Sequence, residues 1–163
     1  MSGRAPESTC HTVVEIVDPV DVVDPVDLAD LVDSLYMRAA NRCFVCGQDN
    51  PIGLKLKFVR AGEGVLAEFT PSDLHAGYEG LVHGGILAAL MDDAMANIWF
   101  ALGQEAVTAK IEIRFRQEAK PGDRLLVSAE PAGSKGGLRI ARATVTRADG
   151  TLVAEGSGFV SIK

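Results

Sequence analysis

Hydrophobic and polar residues change rhythm twice along this chain of 163 residues. From Leu54 the period is two: Leu54–Arg60 and Val65–Thr70 alternate on either side of Ala61-Gly62-Glu63-Gly64, which predicts an antiparallel hairpin. A loop with Pro71, Gly77 and Gly80 follows. Between Gly84 and about Leu102, apolar or small residues fill nearly every position over a length that suits a helix, and Gly103 supplies its stop. Alternation then returns in Val107–Arg116, Arg124–Glu130, Leu138–Arg147 and Leu152–Ile162. Pro121-Gly122-Asp123, residues 133–137 and Ala148-Asp149-Gly150 separate these segments. Such short connections join antiparallel neighbours and leave no room for crossover helices. The expectation is an α+β domain, about six mostly antiparallel strands wrapped around one long central helix.

The segment before this domain reads differently. Aspartates recur at every third position from Asp18 to Asp33, interrupted by Pro19 and Pro25, a bias that predicts disorder in the first half. From Asp24 a helix is expected, with Asp24 as its cap, Pro25 at its first position and Leu28, Leu31, Val32 and Leu35 as one apolar stripe. This gives a boundary: residues 1–40 as an acidic N-terminal extension and 41–163 as the folded domain. Residues 1–35 hold eight acids against one base, Arg4. The whole chain carries −6, so the rest is close to neutral, and the acidity belongs to the extension. Nucleic acid is therefore not an expected partner.

Composition narrows the setting. No apolar run approaches the roughly 20 residues of a membrane span, and the N-terminus lacks the continuous apolar stretch of a secretory signal. The chain reads as cytoplasmic. Its three cysteines, an odd number, fit reduced thiols better than a disulfide framework.

The central helix carries the chemistry. Between Gly80 and Leu102 the ionisable side chains are His83, Asp92 and Asp93. At about 100° per residue, Leu87, Met91, Ala94 and Ile98 share the face expected to meet the sheet. Asp92 lies off that face, with Ala88, Met95 and Trp99. A carboxylate among such neighbours must be paired, protonated or used, because an isolated buried charge is costly. It can be a structural acid, capping a loop or bridging a subunit interface, or it can be a base or nucleophile. His83-Gly84-Gly85 opens the helix. The glycines can simply permit a tight turn, with His83 hydrogen-bonded in the core. They can also present helix-terminal N–H groups to an oxygen that gains negative charge. An acid and an oxyanion pocket together are what acyl transfer needs.

Three strings carry a family resemblance: CFVCGQDNPIGLKL, HAGYEGLVHGGILAALMDDAM and AVTAKIEIRFRQEAKPGD. With HGG, an aspartate nine positions after the histidine, the VTA strand and the PGD turn, the chain from about Cys43 to Lys163 resembles the PaaI-like branch of the hot-dog thioesterase superfamily. The resemblance implies a hot-dog fold, dimers joined sheet edge to sheet edge and often paired into tetramers, and acyl-CoA thioester hydrolysis at the dimer interface without metal or organic cofactor. Asp92 matches the carboxylate that activates water or attacks the thioester. Gly84 matches the backbone donor to the thioester carbonyl, with Gly85 beside it and His83 shaping the loop, and Thr108 matches a hydroxyl that orients water or Asp92. In such dimers the HGG of one subunit faces the acid of the other. Many relatives carry an asparagine six residues before the HGG histidine; here that position is Gly77, and the loop offers His75 and Tyr78 to the substrate instead.

Remaining features fit this frame less specifically. Cys43 and Cys46 have zinc-knuckle spacing, but no second CxxC or CxxH follows, so a four-ligand site would need Cys10, His11, His75 or another subunit. A structural role is the expectation, with zinc binding as the lesser alternative. Lys110, Arg114 and Arg116 share a strand face, and Lys135, Arg139 and Arg142 gather near a hairpin; these could hold CoA phosphates or simply face solvent. Asp93 is expected at an interface or behind the site. The alternatives to a thioesterase are a non-catalytic acyl-CoA-binding or scaffolding domain with the extension as docking arm, and a hot-dog hydratase.

Overall fold

A computed structural model describes residues 42–163. The acidic repeat, the helix expected from Asp24, Cys10 and His11 lie outside the described residues.

Eight strands and one long helix appear in chain order: β1 (Val59–Ala61), β2 (Gly64–Phe69), β3 (Ala76–Tyr78), β4 (Leu81–Val82), α1 (Gly84–Phe100), β5 (Ala106–Phe115), β6 (Leu125–Lys135), β7 (Leu138–Arg147) and β8 (Leu152–Ile162). Six of them form an antiparallel sheet in the order β1-β2-β6-β7-β8-β5, and α1 packs on β2, β5, β6, β7 and β8. This is the hot-dog arrangement. No helix among the described residues is long and apolar enough to cross a membrane.

The strands form where period-two patterning buries one face. Val65, Ala67 and Phe69 of β2 turn inward with Leu125, Val127 and Ala129 of β6 and with Ala141, Ala143 and Val145 of β7. On β8 the inward stripe is Ala154, Gly156, Gly158 and Val160, and its two glycines set how closely the helix lies. A Cβ on Gly158 would stand 2.9 Å from Met95 Sδ. One on Gly156 would stand 2.5 Å from the Glu112 carbonyl oxygen and 3.1 Å from Met91 Cε. Met91 and Met95 are fully buried as a result. The expected sheet-facing set Leu87, Met91, Ala94 and Ile98 is buried, and Leu90, Met95 and Trp99 are buried with it, so the helix is enclosed on more than one side.

Two expectations change. Of the strand expected over Leu54–Arg60, only its end forms, as β1. Leu54 and Leu56 instead donate their N–H groups to Phe44 and Val45 carbonyls at 2.8 and 2.9 Å. Lys55 has φ +62, which breaks the pleat. The hairpin turn also tightens to Gly62-Glu63, since Ala61 and Gly64 already pair. A small β3–β4 hairpin, which the sequence pattern did not reveal, closes around Gly80 at φ +74.

The two edges of the sheet differ. β1 is three residues long, which protects its side. β5 has ten residues and leaves Val107 and Phe115 about half exposed.

Gly156→Ala should destabilise the fold by about 1–3 kcal/mol, because the methyl group meets backbone that can yield only by moving β5. In thermal denaturation that is a fall of several degrees; an unchanged midpoint would show that the β5 backbone does not lie this close to Gly156.

Candidate active site

The site begins with His83, the N-cap of α1. Its backbone is extended, at φ −63 and ψ 131, and its Nδ1 accepts the Gly85 N–H at 2.8 Å. The loop before it is held by two backbone bonds, Val82 N–H to the Ala119 carbonyl and His83 N–H to the His75 carbonyl, each 2.8 Å. Two glycines make room for the imidazole. A Cβ on Gly85 would lie 2.8 Å from Nδ1, and one on Gly77 would lie 2.9 Å from Cδ2. A side chain at residue 77 would therefore meet His83 where the ring now stands, and one of the two would have to shift.

The cap divides the labour of the helix terminus. The Gly85 amide is committed to His83, while the Gly84 N–H has no acceptor among the described residues. Gly84 borders an open cleft of about 640 Å³ whose walls include Leu87, Phe115, Arg116, Lys120 and Arg147. Arg116 is paired with Glu155, and Arg147 bonds Asp123 at 3.2 Å and the Glu118 carbonyl. Phe115 closes in on Gly84, with its ring 3.4 Å from where a Cβ would stand. Sequence reading missed Phe115, since only strand pairing brings β5 to the helix start.

Asp92 lies eight residues further along α1. It is half-buried, and its Oδ1 is buried without a hydrogen-bond partner. No ion pair involves it among the described residues. Eight residues of helix advance roughly 12 Å, too far for Asp92 and the Gly84 N–H of one chain to reach the same carbonyl group. Within a single copy the structure does not bring the two together.

The other expected residues are placed as follows. Thr108 is half-buried near the start of β5, opposite Val160 and next to a register shift. His75 ends a 3-10 turn, where Nδ1 accepts the Ser72 N–H at 2.8 Å and the ring meets Phe69 edge-on at 5.2 Å, so it organises the loop. Tyr78 is largely exposed at the end of β3. Asp93 faces a different way from Asp92: its Oδ1 accepts from the Cys43 thiol at 3.4 Å, while Oδ2 is buried without a partner. Burial pushes the Asp93 carboxyl above the usual range, and the Cys46 and Cys43 contacts partly oppose this.

The comparisons with known proteins converge on this domain. The thioesterase superfamily model matches residues 79–154, which contain the helix, its cap and most of the sheet. Over that stretch the chain resembles the thioesterase superfamily. Solved structures share the fold at low identity. The PaaI protein of E. coli is 22% identical with a TM-score of 0.61, covering 66% of this chain and 83% of that one. Zebrafish thioesterase superfamily member 2 is 23% identical with a TM-score of 0.63, covering 75% and 91%. The smu.793 protein of Streptococcus mutans UA159, solved bound to acetyl CoA, is 24% identical with a TM-score of 0.61, covering 66% and 88%. No curated protein matches the chain. The match is to a thioesterase family, and the solved structures share its fold.

Two substitutions test the packing of the helix cap. His83→Ala should cost about 1 kcal/mol and speed hydrogen exchange at the Gly85 amide. Gly77→Asn should lower the melting temperature and give the same Gly85 signature, and His83→Ala in the Gly77→Asn background should relieve part of that loss. If Gly77→Asn melts like wild type, the collision does not exist.

Proposed function

We propose that this chain hydrolyses acyl-CoA thioesters to the free acid and CoA, at a site shared by two copies. The observation that carries the reading is the separation on α1 of an unpartnered, buried carboxylate oxygen from a free helix-terminal amide. Each is half of an acyl-transfer site, and a rise of roughly 12 Å between them along the helix supports halves contributed by different subunits. The ten-residue β5 edge, with Val107 and Phe115 exposed, supports edge-to-edge pairing of two sheets as the contact that unites them. The CoA found on the S. mutans neighbour fits the same substrate class.

In this reading the thioester carbonyl oxygen accepts the Gly84 N–H, aided by the dipole of α1. The partner's Asp92 takes a proton from a water whose oxygen attacks the carbonyl carbon, or attacks that carbon itself to give a mixed anhydride that water then hydrolyses. The carbonyl oxygen gains negative charge in the tetrahedral state, where the amide binds it more strongly than in the ground state. The C–S bond then breaks and CoA leaves as the thiolate. Thr108 orients the water or Asp92. The cleft beside Gly84 receives the ligand, where Lys120 supplies positive charge. With Gly77 and the His83 ring filling the place of a side-chain amide, polarisation of the carbonyl rests on backbone.

That last feature favours a second reading, an acyl-CoA-binding domain without turnover. Release of free thiol from an acyl-CoA panel separates the two. Asp92→Asn should lower the rate by about 10²–10⁴-fold without altering the oligomer. Gly84→Pro removes the amide at a position where proline suits the first helical turn and His83 is already extended. It should lower the rate by about 10²–10³-fold with the fold intact. Saturable binding with no thiol release by the wild-type protein would replace the first reading with the second, and wild-type rates in both variants would overturn the assignment of residues.

A further inference from the structure

The CxxC turn, set aside on sequence spacing because it offered two ligands, meets a third in the fold. Cys43, Cys46 and Asp93 place their sulfur and oxygen atoms within 4.8 Å of one another, although Asp93 lies 50 positions from Cys43. We propose that these three residues bind a divalent transition metal of the zinc class, which fastens the turn to α1 behind the catalytic face. The proposal does not depend on thioester hydrolysis.

Geometry supports it first. Zinc bonds of about 2.3 Å to sulfur and 2.0–2.2 Å to carboxylate oxygen set tetrahedral neighbours roughly 3.5–3.8 Å apart. Cys43 Sγ and Asp93 Oδ1 are 3.4 Å apart, so an ion needs little rearrangement there. The turn is also built as thiolate ligands require. The Cys46 N–H points at Cys43 Sγ at 3.5 Å, the Gly47 N–H closes on the Cys43 carbonyl at 3.0 Å, and Asn50 Nδ2 holds the Arg42 carbonyl at 3.1 Å. Leu54 and Leu56 then pin the turn to the body of the domain.

Electrostatics supply the second line. Asp93 is an acid on an apolar helix beside another acid, Asp92, and a thiol contact engages only one of its oxygens. A buried carboxylate with an unused oxygen is costly, and a dication bound to it offsets both the burial and the charge of its neighbour. Asp93 remains fixed from behind, because Asn97 Nδ2 donates to its carbonyl at 2.8 Å. His75 does not join the cluster, whose ligand atoms come from Cys43, Cys46 and Asp93. The fourth position falls to water, and ligation by soft sulfur favours zinc over magnesium or calcium.

The test uses the full chain, reduced, stripped with a chelator and titrated with cobalt(II) alone. One equivalent should give thiolate-to-cobalt charge-transfer absorption and tetrahedral d–d bands, and zinc(II) should displace both and shield the two thiols from a thiol reagent. Cys43→Ser should abolish the charge-transfer band. Asp93→Asn, nearly the same shape, should keep the circular dichroism of the wild type and weaken cobalt binding by at least about tenfold. No charge transfer in the reduced wild-type protein would overturn the proposal, and so would an Asp93→Asn variant that binds cobalt as tightly as wild type.

Discussion

A helix nearly devoid of polar side chains must be enclosed, and how closely the sheet admits it decides what its few polar atoms can do. Gly156 and Gly158 let Met91 and Met95 sink onto β8, so that Asp92 and Asp93, from the same turns, are half-buried, each with one oxygen out of water. Neither acid has a cation within reach among the described residues. Asp93 turns to the cysteine pair, and Asp92 keeps an oxygen with no partner. A buried oxygen of that kind is tolerated where something binds to it. The packing of one helix on a stripe of small residues thus precedes both the proposed chemistry and the proposed metal clamp.

The start of α1 obeys the same economy of space. His83 caps the helix by lying between Gly77 and Gly85, and a side chain at residue 77 would meet the ring where it now stands. What looks in sequence like the loss of a polar group is, in the fold, room for this histidine cap. The cap takes up the Gly85 amide and leaves that of Gly84. Gly84 rather than Gly85 is accordingly the donor in the proposed mechanism.

Much of this was legible along the chain because it depends on local pattern. The periods of two and 3.6 located β2, α1, β5, β7 and β8 to within one or two residues, and Gly103, at φ +76, ended the helix as its position suggested. The apolar surroundings of Asp92 followed from helical spacing alone. What escaped was non-local. Leu54–Phe58 alternates like a strand yet folds back on Phe44 and Val45, since Lys55 turns the chain with a positive φ that no pattern announces. The approach of Cys43 to Asp93 joins segments 50 positions apart. The collision between residue 77 and His83 is a matter of ångströms, which spacing cannot resolve.

The claim that two copies share each site has a direct measurement. Asp92→Asn and Gly84→Pro chains, inactive separately, are unfolded or dissociated together at equal amounts and reassembled. In mixed dimers one site combines an intact Gly84 amide with an intact partner Asp92. Half the dimers then hold one good site of two, so about a quarter of wild-type thioesterase activity should return. Activity that stays at the level of the separate variants, although mixed dimers have formed, would place the amide and the acid in the same subunit and contradict the shared site.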